Sequence, residues 1–187
     1  MLRFADYRGM DVAVTETANE ALNTLDDAAR AELPSLVFGL IDDVSADPLT
    51  GALMPVVTAL DRKTFEAQNP ARQVLVEAFV NNRLLTAEGD GVSQRVRPVH
   101  EALLRIWPQA VAIVRESASL IRVRYTLEPL VREWLAASPD DKPRHLEISP
   151  ALLDGAQQLL ARLGNDLPAD MRGFITQAAA ADAAWRD

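Results

Sequence analysis

Cysteine is absent from the 187-residue chain, which excludes disulfides, zinc–thiolate sites and thiol nucleophiles. Its two histidines, His100 and His145, are too few for a histidine-rich metal site, so no metal ligands are expected. No glycine is followed by lysine, so the GxxxxGK[ST] loop of P-loop nucleotidases is missing, and no GxSxG motif supports Ser–His–Asp chemistry. On its own the chain is therefore predicted to be no enzyme, with no catalytic residue and no cofactor.

Long apolar runs are missing too. No stretch approaches the roughly 20 residues of a membrane span, and the N-terminus lacks the basic start and apolar core of a signal peptide. We expect a soluble, cytoplasmic protein with no membrane partner. The net charge is -8, and basic residues outnumber acidic ones only between residues 61 and 138, by 11 to 9. Since proteins that bind phosphate backbones usually have a basic face, nucleic acid is not expected as a partner.

Apolar residues at three- and four-residue steps predict two helices near the N-terminus, at 14–24 and 26–41. Thr24 followed by Asp27 is interpreted as a capping box for the second helix. That helix should bend or restart near Pro34, because proline cannot donate a helical hydrogen bond.

A Pro- and Gly-containing turn follows, and then an apolar run at 54–59 that suits a short strand. Asn69 as N-cap and Pro70 in the first turn predict another helix, which ends at Asn81–Asn82. Two β-prone arms, 84–86 and 95–99, then flank a tip rich in Gly and Asp, which is typical of a hairpin.

Helices, a strand, a helix and a hairpin follow one another in the order of a winged helix, and the rest of the chain has helical periodicity. Pro108 and Pro129 should divide that rest into two or three helical pieces, and Gly164 should separate two terminal helices. We predict a mainly α fold in three parts: the end of an upstream helical region at 1–25, a winged-helix domain at 26–100, and an all-helical extension at 101–187.

His100 lies at the predicted junction between the second hairpin arm and the next helix. From the residues alone it is a structural residue of that junction. Glu101 is explained by its place in the first helical turn, where negative charge is favourable. Trp107 lies four residues beyond Leu103 and is predicted to pack in the core.

The same stretch changes this interpretation, because "RLLTAEGDG…VRPVHEALLRIWPQAVAIV" resembles the signature of the novel STAND NTPases of bacteria, signal-transduction ATPases with numerous domains. In that family an HEALL block followed by Trp-Pro closes a winged helix after the nucleotidase core. Three further segments are similar to the family: "LRFADYRGM…AVTETANEAL", "LIRVRYTLEPLVREW" and "ISPALLDGAQQLLARLGNDLPADMRGFI". Asp11 and Val12 replace the glycine pair usual near the first of these.

The resemblance implies a regulatory, non-catalytic fragment of a STAND-type ATPase whose intact form binds ADP or ATP. Its expected partners are an intramolecular nucleotidase core, a downstream sensor or effector module, and a second copy of itself as an alternative. The block is also similar to the Met-His-Asp motif of related immune receptors, where the histidine contacts the β-phosphate of ADP. The implied nucleotide-sensing residues are His100 and Glu101, and the implied domain-packing residues are Leu103, Leu104, Trp107 and Trp134.

Two alternatives stay open at this point. A winged helix is also typical of DNA-binding transcriptional regulators, here with a helical dimerisation arm. The helix before the hairpin offers only Arg72 as a cation, beside Glu77, while Arg95 and Arg97 lie on the hairpin. The second alternative is a scaffold or oligomerisation module. It would use the arginines of the helical extension, which are Arg115, Arg122, Arg124 and Arg132.

Overall fold

The computed structural model of the chain describes residues 4–89 and 94–186, with side chains from residue 11 to residue 185 within those ranges. As predicted, the protein is mainly helical, with small antiparallel sheets and a C-terminal helical region. It divides into two compact units, Met1–Ser117 (unit 1) and Ala118–Asp187 (unit 2). The finer division into 1–25, 26–100 and 101–187 stays a prediction.

Unit 1 combines short helices with two antiparallel sheets. Its helices are α1 (Phe4–Asn23), α2 (Asp27–Ala31), α3 (Leu33–Gly39), α4 (Arg62–Glu66), α5 (Pro70–Asn81), α6 (Leu103–Ile106) and the first part of α7 (Pro108–Ala136). Its strands are β1 (Ile41–Ala46), β2 (Leu53–Val57), β3 (Leu60–Asp61), β4 (Leu85–Glu88) and β5 (Arg95–Pro98). β1 and β2 form a two-stranded sheet, and the second sheet has the order β3-β5-β4.

The N-terminal helices differ in detail from the prediction. The N-cap of α2 is Asp26, whose carboxylate accepts a hydrogen bond from the Ala29 amide at 2.8 Å. The Thr24 hydroxyl instead donates to the Ala21 carbonyl at 2.7 Å, so its predicted capping role was wrong. The predicted restart near Pro34 is confirmed, since α3 begins at the preceding residue.

The predicted helix over 26–41 was too long, because the chain leaves α3 at Gly39 and enters β1. β1 pairs with β2 from Ile41↔Val57 to Ala46↔Leu53, which partly confirms the strand predicted at 54–59. The Asp47 carboxylate closes the turn by accepting from the amides of Leu49 and Thr50, at 2.9 and 2.8 Å. An Asp that binds backbone amides two and three residues ahead favours a turn over a helix.

Helix α5 begins and ends as predicted. The Asn69 side chain caps it by accepting from the Ala71 amide at 3.0 Å, and Asn82 follows its last residue. On its inner face Arg72 is only 6% exposed, and its Nε donates to Glu32 Oε2 at 2.6 Å. The guanidinium also lies 4.6 Å from the centre of the Phe65 ring. The cation of this helix therefore belongs to the core of unit 1.

Unit 2 consists of helices. They are the second part of α7, a 3-10 helix at Lys142–Leu146, α8 (Pro150–Leu163), a 3-10 turn at Gly164–Asp166 and α9 (Ala169–Arg186). Gly164 ends α8 with a φ of +48°, as its predicted C-cap role requires. The buried side chains of this unit include Ile121, Leu127, Leu159, Phe174 and Ile175.

Pro129 does not interrupt α7, contrary to the prediction. The helix is continuous from Pro108 to Ala136, and Pro129 is an exposed residue within it. Buried residues on both sides, Leu127 and Val131, hold the flanking turns, so tertiary packing outweighs the hydrogen bond that proline cannot donate.

Replacing Pro129 by alanine is therefore expected to raise the stability of unit 2 by up to about 3 kcal/mol, because it restores a helical amide and removes a steric clash. Thermal unfolding followed by circular dichroism measures the change. Pro150→Ala is the matched control, since Pro150 occupies the first turn of α8, where proline is favoured. Equal gains at both positions would contradict the explanation.

Within the described ranges, none of the helices combines the length and the hydropathy that crossing a membrane requires. Among the same residues, no group of three or more His, Cys, Asp or Glu side chains is placed to hold a metal ion.

Candidate functional site

His100 lies where the second hairpin arm turns into helix α6. The Val99 amide donates to the Leu84 carbonyl at 3.0 Å, which continues the β4–β5 ladder to the residue before His100. The His100 carbonyl then accepts from the Leu103 amide at 3.0 Å, in the tight turn that opens the helix. The N-cap position of α6 is Ala102, so the imidazole of His100 is not a helix cap. It is exposed and has no hydrogen-bond or ion-pair partner among the described residues.

A cleft of about 220 Å³ opens beside this histidine. Its walls are formed by eight residues: Ala13, Val14 and Thr17 of α1, Asn82, Arg83 and Leu84 after α5, and His100 and Leu103 around the start of α6. Half of them are apolar, and most of the lining surface is apolar as well. The guanidinium of Arg83 and the imidazole of His100 add hydrogen-bond donors, which can bind the oxygen atoms of an anion.

Arg83 is the residue of this site that the sequence analysis missed. Its φ is +57°, and among the described residues it is the non-glycine residue with a positive φ. The backbone forms a Schellman motif around it: the Leu84 amide donates to the Phe79 carbonyl and the Arg83 amide donates to the Val80 carbonyl, both at 2.9 Å. No local pattern in the sequence singled it out, because its left-handed backbone and its place in the cleft come from the fold.

Glu101, the second predicted sensing residue, is exposed and is paired elsewhere. Its Oε2 lies 3.4 Å from a terminal nitrogen of Arg105, one helical turn ahead. Consecutive residues do not share a helix face, so the structure gives Glu101 a local partner distinct from the imidazole of His100.

Trp107 ties three helices of unit 1 together. Its side chain is 1% exposed, and its ring centre lies 5.8 Å from that of Phe79 in α5. Its Nε1 donates to Asn19 Oδ1 of α1 at 2.9 Å, and the side-chain amide of Gln109 donates to the same oxygen at 3.1 Å. The site is thus built on a helix start that is fixed to α1 and α5.

The other predicted packing residues are also buried within their own units. In unit 1, Leu103 is 3% exposed and Leu104 is 2% exposed. In unit 2, Trp134 packs edge-on against Phe174 with ring centres 5.8 Å apart, and Lys142 Nζ lies 4.9 Å from its ring centre. The Nε1 of Trp134 is buried with no hydrogen-bond partner among the described residues. A role of these four residues in packing against another domain stays a prediction.

Comparison with known protein families places most of the sequence in one family. The sequence profile of the family described as Novel STAND NTPase 1 matches residues 1–142, which is more than half of the chain and includes the HEALL and Trp-Pro block. The chain belongs to this family. The resemblance noted from the sequence is thereby confirmed, although its segment beyond residue 142 lies outside the match. No curated protein and no solved structure matches the chain.

In this novel STAND NTPase 1 chain, the predicted site residues divide into three groups. His100 lines a cleft together with Arg83. Glu101 is directed to Arg105. The packing residues Leu103, Leu104 and Trp107 are buried in unit 1, where Leu103 also lines the cleft, and Trp134 belongs to unit 2.

Proposed function

We propose that this chain is a regulatory, non-catalytic part of a STAND-type signalling ATPase of the bacterial cytoplasm. Unit 1 packs on a nucleotidase core of the same polypeptide and senses whether ADP or ATP is bound there. The helical region passes that state to a C-terminal module. The observation that carries this proposal is the exposed His100, which has no partner among the described residues and lines a cleft together with the arginine at position 83.

We also propose that part of unit 1 is a winged helix. Support comes from the element order β3, α4, α5, β4, β5 and from a sheet in which β5 lies between β3 and β4. A helix followed directly by a two-stranded wing is the arrangement that the sequence predicted. The β1–β2 hairpin would then be an insertion between α3 and the first strand of the wing sheet.

The chemistry expected of His100 is a hydrogen bond to a phosphate oxygen. An imidazole N–H can donate in the neutral and in the protonated form, and the protonated form gives the stronger, charge-assisted bond. A contact made in one nucleotide state and lost in the other shifts the equilibrium between two domain arrangements. ADP held by the core would thus favour the state in which unit 1 is closed on it.

The DNA-binding alternative loses support from the contacts of α5. Arg72 is buried in its ion pair with Glu32, where it cannot reach a phosphate backbone. On the outer face of the same helix, Glu77 is half exposed and lies 3.6 Å from Arg62. A recognition helix whose arginine is buried and whose exposed carboxylate is paired gives little attraction to a phosphate backbone. Neither this alternative nor the scaffold alternative is favoured by a specific contact.

In the intact ATPase, His100→Ala is expected to lower the amount of ADP that copurifies and to raise basal signalling. Losing one hydrogen bond to a charged group should weaken ADP binding by about tenfold. Nucleotide content after denaturation, measured by chromatography, gives the readout. His145→Ala is the matched control, because it removes the other histidine, in the 3-10 helix of unit 2. Equal ADP content in both variants and the wild type would rule out the sensing role.

A further inference from the structure

Arg83 and His100 flank the same end of the β4–β5 ladder. Its pairs run from Glu88↔Arg95 to Leu85↔Pro98, and the hydrogen bond from Val99 to Leu84 adds one more step. Arg83 precedes this end of the ladder and His100 follows it, and both side chains line the cleft of about 220 Å³.

Arg83 occupies a backbone conformation that glycine would adopt at lower cost. A φ of +57° is the left-handed conformation, which carries a steric penalty for every residue with a Cβ atom. Glycine is the usual residue at this position of a Schellman motif. An arginine here therefore indicates that its side chain has a use that offsets the strain.

Capping of α5 does not supply that use. Backbone amides already satisfy the carbonyls of Phe79 and Val80, and the Asn82 side-chain amide donates to the Ala78 carbonyl at 2.8 Å. Among the described residues, the guanidinium of Arg83 has no hydrogen-bond or ion-pair partner. None of the described side chains therefore occupies its hydrogen-bond donors.

We propose that Arg83 and His100 together form a phosphate-binding site, with Arg83 as its main charge and the Thr17 hydroxyl as a further donor. The planar guanidinium can bind two oxygens of one phosphate at once. The cleft is smaller than the roughly 300–1,000 Å³ of pockets that enclose a whole small-molecule ligand, so it suits a phosphate or diphosphate group and not an entire nucleotide. This proposal rests on the proposed function, because the phosphate of bound ADP is the expected occupant, and it adds the residue that carries most of the charge.

The test uses the 187-residue chain and inorganic pyrophosphate as the probe. Pyrophosphate is expected to shift the NMR signals of the His100 ring and of the Arg83 amide, and these shifts should reach a plateau as the pyrophosphate concentration rises. Two variants separate charge from strain: Arg83→Gln keeps the Cβ atom and removes the charge, whereas Arg83→Gly removes both. Both should weaken pyrophosphate binding by about tenfold, since each loses a charged donor. Arg97→Gln is the control. It removes the charge of an exposed arginine on the same hairpin, and this arginine does not line the cleft.

Thermal unfolding of the same variants separates binding from folding. Arg83→Gly should unfold at a temperature no lower than the wild type, because glycine relieves the strained φ. Weaker pyrophosphate binding in a variant that folds at least as well supports a ligand-binding role. Pyrophosphate binding that is absent in the wild type, or unchanged in both Arg83 variants, would overturn the proposal.

A second arm in the intact ATPase identifies the source of the phosphate. Arg83→Gly should speed ADP dissociation about as much as it weakens pyrophosphate binding to the chain. If pyrophosphate binds at Arg83 and His100 but ADP retention is unchanged by either substitution, the anion site stands and the proposed nucleotide sensing fails. If ADP retention depends on His100 and pyrophosphate binding is unchanged in both Arg83 variants, the sensing function stands and the Arg83 site fails.

Discussion

Glu32→Ala is expected to destabilise unit 1 by about 3–5 kcal/mol, because it leaves the charge of Arg72 buried without its carboxylate. Arg72 is 6% exposed, and Glu32 is the residue that accepts from its Nε at 2.6 Å. The same carboxylate also accepts from the Asn69 side chain at 2.8 Å, so the N-terminus of α5 loses a second contact. Hydrogen exchange of the α5 amides during urea titration reports the loss for unit 1 alone.

Two further variants make this prediction specific. Asp27→Ala removes the carboxylate of an exposed pair, 3.7 Å from Arg30, and should change stability by less than about 1 kcal/mol. The double replacement Glu32→Leu with Arg72→Met removes both buried charges and should recover most of the lost stability. A loss at Glu32 no larger than the loss at Asp27 would show that the buried pair does not hold α5 in place.

Trp107→Ala is expected to cost about 3–5 kcal/mol, since among the described residues it empties the largest fully buried side-chain position. The substitution removes the ring contact with Phe79 and the hydrogen bond to Asn19, and thereby releases α6 from both α5 and α1. Chemical denaturation followed by circular dichroism measures the cost. If the site depends on this support, the His100 signals should also broaden or move in NMR spectra of the variant.

Two other variants, one at Trp185 and one at Trp107 itself, supply the comparison for this loss of stability. Trp185 is 81% exposed, so Trp185→Ala should change stability by about 0.5 kcal/mol or less. Trp107→Phe keeps an aromatic ring but leaves Asn19 without the indole donor, and should lie between the two alanine variants. A cost for Trp107→Ala as small as that for Trp185→Ala would contradict the packing described for the Trp-Pro segment.

The elements that the sequence predicted well are those with a local signal at their ends. Asn69 and Pro70 define the start of α5, and Gly164 ends α8 with the positive φ that glycine tolerates. The hairpin arms were found because a turn composition separates two β-prone runs, although residues 90–93 of the tip lie outside the described residues.

Two of the failures, the missed strand β1 and the predicted break at Pro129, share one cause, which is that long-range contacts outweigh a local pattern. Ile41 and Val44 are both buried at a spacing of three, which suits a helix as well as a bulged strand, so β1 was missed. At Pro129 the local rule predicted a break, but burial on both sides keeps α7 continuous. These outcomes depend on partners that are distant in sequence.

Of the two residues proposed to bind phosphate at the candidate site, the sequence predicted one. A family resemblance singled out His100, which the residues alone made an ordinary junction residue. Arg83 was missed because its significance depends on two facts of the fold, a left-handed backbone and the cleft that it shares with His100. Local periodicity contains neither fact.

The most direct test of the account compares ADP with AMP binding to the intact ATPase and its His100→Ala variant. If His100 contacts the β-phosphate, the substitution should lower the affinity for ADP about tenfold and leave the affinity for AMP unchanged. His145→Ala should alter neither affinity. Unchanged ADP binding, or an equal loss for ADP and AMP in His100→Ala, would contradict nucleotide sensing by this residue.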